Sequence, residues 1–300
     1  MTDTQKIRQL ELQLADLDGV SNADVHRKID LLNDLAWMLS DTDLKRAYAL
    51  SETARTLAGT PDDGEPPYQA GIAYSLRTQG YLNQRFGDYP LGLTQLLKAQ
   101  EISESLALDD GLADVFDGIA GIYYQIGSFP ETLNYTFKQL DAAQRIGDKR
   151  RMANAYNNLA NIYFETGDYE RAVETLHHNL QIAAETDNKR IEFLSYANLA
   201  ETYLLKVDYE KALENALRSL SVCQEAGFEL FESYSFDLIG KSYLKLGNAA
   251  QAIHHFEKAL ELSRKVESNV TESLILLNLG QAYRDTQQPD LALDYLQQAI

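Results

Sequence analysis

The sequence predicts an all-α chain, a solenoid of helix–turn–helix units, and three periodic columns carry that reading. Gly87, Gly127, Gly167 and Gly247 stand at steps of forty or eighty residues, with Val207 and Gln287 at the two remaining marks. Tyr123, Tyr163, Tyr203, Tyr243 and Tyr283 keep the same forty-residue step, four positions before a mark. Asp88, Ser128, Asp168, Asp208 and Asn248 follow one position after a mark. A fixed period of this length means stacked units, each too small to bury its apolar face alone. Function then belongs on the surface that the stack creates.

Residues 1–22 read as a separate amphipathic helix, with Ile7, Leu10, Leu14 and Leu17 at heptad-like steps. Two heptads can lie as a lid on the first repeat or pair with a second copy, giving a homodimer through this helix. Residues 23–58 form a degenerate first repeat, marked by Leu35, Ala36, Leu39 and Ala47. Residues 59–67, GTPDDGEPP, are a linker: Gly, Pro and acid exclude helix, and the spacing does not fit a calcium loop.

Residues 68–300 hold six repeats of about forty residues. In one of them Tyr156, Leu159, Ala160 and Tyr163 follow the i, i+3, i+4, i+7 rule and paint one apolar stripe on a helix. Gly167 tolerates the left-handed backbone that stops a helix, and Asp168 caps the next one. Ala172, Leu176 and Leu180 mark the buried stripe of that second helix. Ser128 with Glu131 has the spacing of a capping box. The small residues Gly80, Ala120, Ala160, Ala200, Gly240 and Gly280 leave room for helix axes to approach. The final segment DLALDYLQQAI stops inside a periodic helix without an exit signal, so the last repeat reads as truncated and the natural protein as continuing.

The run Leu159-Ala160-x-x-Tyr163-x-x-x-Gly167-x-Tyr169-x-x-Ala172 resembles the tetratricopeptide repeat. So does Ile239-Gly240-x-x-Tyr243-x-x-x-Gly247, with Ala252, Phe256, Ala259 and Leu260 behind it. The forty-residue spacing resembles the long-helix variant of kinesin light chains and bacterial signalling proteins. The resemblance implies a right-handed superhelix whose first helices line a concave wall.

The formal net charge of −18 repels phosphate backbones and anionic lipid, so no nucleic acid and no membrane partner is expected. The acid also offers attraction to basic partners. Cys223 is the lone cysteine, which excludes an intrachain disulfide and fits a reducing, cytoplasmic setting. The N-terminus lacks the apolar stretch of a secretory signal, and no run is long enough for a membrane span.

No glycine-rich dinucleotide or phosphate loop and no zinc-protease HExxH occurs, so neither enzyme activity nor a cofactor is expected. Cys223 reads as a buried spectator, and the pairs His177-His178 and His254-His255 as solvent-facing. Adjacent helix residues point about 100° apart and cannot clamp one metal by themselves. Trp37 fits either a groove contact or repeat packing. The tyrosine column coincides with the apolar stripe, so it reads as core.

The sharpest functional lead is asparagine. Asn154, Asn157, Asn158 and Asn161 share one face of a first helix, beside the apolar stripe. Each costs about 0.5 kcal/mol of helix propensity relative to Ala. A solvated face is more cheaply built from Glu, Lys and Gln. An amide offers a donor and an acceptor, which suits an extended peptide backbone. Asn198 and Asn278 repeat the Asn158 position. In the family, asparagine at this place in the motif contacts ligand backbone, and the resemblance implies the same here.

Flanking positions complete the candidate peptide-binding set: Asp117, Gly121, Glu201, Arg77, Tyr81 and Lys241. Gly118 and Gly121 admit either a ligand backbone or a close helix. The neighbours of the asparagines are acidic or apolar, which disfavours a clamp for a terminal carboxylate and favours an internal segment with basic side chains. The expected function is a scaffold module that holds a partner protein segment. The alternative is the N-terminal regulatory input domain of a bacterial nucleotide cyclase, histidine kinase or transcription regulator.

Overall fold

The computed structural model describes residues 3–17, 23–60, 66–265 and 269–299. It divides into two compact units, Met1–Ala155 and Tyr156–Ile300. The described residues are all-α, as the period requires. The first unit holds α1 (Asp3–Asp16), α2 (Ala23–Leu39), α3 (Leu44–Gly59), α4 (Gln69–Phe86), α5 (Tyr89–Ser105), α6 (Asp109–Gln125) and α7 (Phe129–Arg145). Helix α8 (Lys149–Glu165) starts in it and supplies the first residues of the second unit. That unit continues with α9 (Tyr169–Thr186), α10 (Lys189–Leu205), α11 (Tyr209–Ala226), α12 (Glu229–Lys245), α13 (Ala249–Lys265), α14 (Asn269–Asp285) and α15 (Pro289–Gln298). Within each unit successive helices pair as hairpins, and first helices also touch first helices: α2 with α4 and α4 with α6, then α10 with α12 and α12 with α14.

The turns explain the period. Gly87, Gly127, Gly167 and Gly247 all have positive φ, between 75° and 82°. Val207 at φ 63° and Gln287 at φ 58° adopt the same left-handed backbone, although a side chain opposes it. A second left-handed column closes the other turn, at Ala107, Gly147, Asp187 and Gly227, again forty residues apart. After the first turn, the carboxylates of Asp88, Asp168 and Asp208 accept from the backbone N–H three residues on. Asn248 does the same for Gln251 N–H at 3.3 Å. Ser128 departs from the expected capping box: its hydroxyl donates to the Glu131 carboxylate and takes no backbone N–H.

The small-residue column works by closeness. A Cβ on Gly240 would lie 2.5 Å from the Phe256 ring, and one on Gly80 2.5 Å from Leu96 Cγ. In the first unit Leu96, Ala99, Val115, Ile119 and Ile122 form one buried cluster. Ile7, Leu10 and Leu14 of α1 pack on Leu35, Leu39 and Ala47 of α2 and α3. The stripe that a dimerising α1 would use is therefore turned onto the chain's own first hairpin. In the second unit Ala160, Leu176, Leu199, Tyr203 and Ala212 form one cluster. A larger one joins α10 through α14 around Phe193, Leu238, Ile239, Phe256 and Leu279. The linker expected at 59–67 begins at the end of α3 and reaches Tyr68, whose N–H bonds Ala58 O at 2.8 Å. Its residues 61–65 lie outside the described residues, as do 18–22 and Ile300.

Candidate binding face

The second unit joins its first helices through polar side chains. Asn198 of α10 donates from Nδ2 to Asn157 Oδ1 of α8 at 3.2 Å. Asn278 of α14 donates from Nδ2 to Asp237 Oδ1 of α12 at 2.7 Å. Both links span 41 residues, one more than the period. Lys241, one turn along α12, reaches the other Asp237 oxygen at 2.6 Å. Between them, Tyr234 of α12 hydrogen-bonds Glu201 of α10, and burial, then that carboxylate, push the phenol well above its ordinary range. Asn157, Asn158, Asn198, Glu201 and Asn278 are half-buried, and Asn161 is exposed. Asn154 is exposed on the part of α8 that belongs to the first unit. Tyr234 and Asp237 are absent from the sequence-derived set. The signal for Asp237 was a polar residue matched to another 41 positions on, hidden by different residue types at the two ends.

The first unit treats its candidates differently. Arg77 is not at the surface: it is 5% exposed, its Nη1 lies 3.1 Å from Asp114 Oδ2, and its guanidinium sits 4.1 Å over the Trp37 ring. Burial pulls its pKa down, opposed by the Asp114 charge. Arg151 grips both Asp114 oxygens at 2.8 Å, and that bond first of all raises the Arg151 pKa. One carboxylate thus ties α4, α6 and the start of α8 together. Trp37, edge-on to Tyr81, is a packing residue beneath Arg77. Tyr81 donates to Asp41 at 2.8 Å, and Asp117 accepts from Gln139 at 2.9 Å. Gly118 faces Leu96, and the space at Gly121 is filled by the Gln84 amide, so helix packing and not ligand approach explains both glycines.

Cys223 is buried, and burial pushes its thiol up to about 11. His177 and His178 are exposed as expected. His255 is not solvent-facing: it stacks on Tyr243 and Phe236, with a buried Nδ1 that has no partner. Burial lowers its pKa. Among the described residues no helix is long and apolar enough to cross a membrane, and no three His, Cys, Asp or Glu side chains are placed to hold a metal.

The tetratricopeptide-repeat family profile matches residues 151–225 and 230–300. Residues 151–225 and 230–300 carry tetratricopeptide repeats. No curated protein sequence matches it. Among solved structures it is similar to the STAND signal-transduction ATPase PH0952 of Pyrococcus horikoshii, described as having a tetratricopeptide repeat sensor. The TM-score is 0.74 at 15% identity, over 99% of this chain and 47% of that one. The chain is thus under half the length of that neighbour. The apo quorum sensor NprR of B. thuringiensis gives 0.69 at 13% identity, over 99% and 93%. A kinesin light chain of Podosopora anserina with nearly identical repeats gives 0.52 at 18% identity, over 61% and 91%. At these identities the likeness is one of fold.

Proposed function

We propose that the second unit is a non-enzymatic binding module that holds an extended segment of a partner protein along α8 and α10. The observation that carries the reading is the Asn157–Asn198 pair. One Asn198 N–H is used on Asn157 Oδ1 at 3.2 Å. The Asn157 amide N–H groups and the Asn198 carbonyl keep their hydrogen-bonding capacity, and both side chains reach solvent. A donor and an acceptor held side by side match the C=O and N–H of an extended backbone. Asn161, exposed one turn beyond Asn157, lengthens the contact along α8. Glu201 adds negative charge beside the pair and favours a basic side chain in the ligand. Such a module works in the cytoplasm, where a lone buried thiol such as Cys223 stays reduced.

The test is a phage library of random twelve-residue peptides panned on the full chain. Enriched peptides should bind the wild type and lose most of their affinity for the Asn157→Ala/Asn198→Ala double variant, with unchanged helicity by circular dichroism. Equal binding to both proteins would remove the asparagine face from the reading.

A second reading is a regulatory input domain of a larger bacterial signalling protein. The likeness over 99% of this chain to a protein with a repeat sensor favours it by analogy of fold. The open reading frame around residues 1–300 decides it: a fused cyclase, kinase or DNA-binding domain supports the reading, and a stop codon at either end without one removes it.

A further inference from the structure

One column of the second unit changes its chemistry from helix to helix. Glu165, Leu205 and Lys245 stand forty residues apart and are the last residues of α8, α10 and α12. Each lies four residues beyond Asn161, Glu201 and Lys241, and so on the same side of its helix. All three are exposed, Leu205 to 48%. The column therefore runs acid, apolar, base across three neighbouring first helices, which are tied by the Asn157–Asn198 bond and by contacts between α10 and α12. Neither charge is used within the chain. Lys206, Lys211 and Arg218 each meet a carboxylate, and Lys241 is held by Asp237 at 2.6 Å. Glu165 and Lys245 have no ion-pair partner among the described residues. The chain has 45 acidic and 27 basic residues, so a lysine without a carboxylate is the rarer case. The next position of the column, Asp285, already lies 3.5 Å from Arg284.

Resting on the binding reading above, we propose that the segment held along α8 and α10 reaches α12 and carries three complementary side chains in order: a basic one at Glu165, an apolar one at Leu205 and an acidic one at Lys245. The ligand class is thus an internal peptide of opposite charge at its two ends with an apolar residue midway. The spacing follows from the helices. Packed helices lie about 8–10 Å apart. An extended segment in the polyproline II form has three residues per turn and rises about 3.1 Å per residue, so it presents the same side about every 9 Å. The three ligand residues are therefore about three positions apart. Glu201, one turn before Leu205, adds to the acidic end, while Lys241 is neutralised by Asp237, so Lys245 carries the basic end. Exposed charge pairs are weak singly, so their order selects which segment binds, and in which register, more than how tightly.

The probes are the twelve-residue peptides that the phage library yields on the full wild-type chain, labelled with fluorescein and followed by anisotropy. They should share a basic, an apolar and an acidic residue at steps of about three. Their affinity should fall about three- to tenfold for Glu165→Lys and for Lys245→Glu, because attraction becomes repulsion. The Glu165→Lys/Lys245→Glu chain should bind best the same peptides with their two charged residues exchanged. Both side chains are exposed at helix ends, so the variants should keep the helicity of the wild type by circular dichroism. Peptides that need Asn157 and Asn198 but bind the charge variants like the wild type overturn this inference and leave the asparagine face standing. A loss that the charge-exchanged peptides do not recover reflects net charge and not pairing, and overturns it too. Peptides indifferent to the asparagines, or no enriched peptide at all, overturn both readings.

Discussion

Asp237 accepts a 2.7 Å hydrogen bond from Asn278, and its other oxygen lies 2.6 Å from Lys241 Nζ, so one nearly buried carboxylate serves two helices. The link is both an interhelix tie and a charge-neutralising pair, and its loss leaves an amide and an ammonium without their acceptor.

Replacing Asp237 by Ala is expected to cost about 2 kcal/mol, the scale for removing one side of a buried, charge-assisted bond. Asn278→Ala removes a neutral partner and leaves the Lys241 pair intact, so about 1 kcal/mol is expected. Urea unfolding of the two variants and their combination measures both. The double variant should cost less than the sum, because the two changes remove the same bond.

Asp114 stands between Arg77 and Arg151 in the first unit. Asp114→Asn keeps the shape but removes the carboxylate that pairs directly with the buried Arg77 guanidinium, at a cost of about 3–5 kcal/mol. The exposed pair Arg85–Asp41, 3.0 Å apart, is the control. Arg85→Ala should cost under about 1 kcal/mol. Denaturation midpoints that rank these two variants in the opposite order would show that the buried carboxylate is not what holds α4 to α6.

Val207 occupies a left-handed turn at φ 63° where four counterparts are glycine. That backbone costs an L-residue about 1–2 kcal/mol, and glycine loses about 0.5–1 kcal/mol of backbone entropy on folding. Val207→Gly is therefore expected to stabilise the chain by about 0.5–1 kcal/mol, since the valine side chain is exposed and gives up little packing. Scanning calorimetry should register a higher melting temperature. A lower one would mean that the turn tolerates valine better than its φ implies.

The hairpins, their turns and the amphipathic first helix were legible in the residues because each depends on local chemistry. Gly167 and Asp168 stop one helix and start the next within two residues, and Ile7, Leu10 and Leu14 mark a stripe on a single helix. The second turn column was not legible: Ala107, Gly147, Asp187 and Gly227 share a backbone conformation and not a residue type. The candidate site was legible only in part. The asparagine positions were visible, but not that Asn198 binds Asn157 or that Asn278 binds Asp237.

The sequence by itself determined the repeat, its length and the helical fold, since propensity, capping and apolar period act within one or two turns of chain. The tertiary structure alone decided which polar groups remain for a ligand. Arg77 looks like an accessible cation in the sequence and is a buried brace over Trp37. Gly121 looks like an opening and is filled by Gln84. Hydrogen-bond satisfaction and burial depend on neighbours some forty residues away, and those neighbours are fixed only when one hairpin packs against the next.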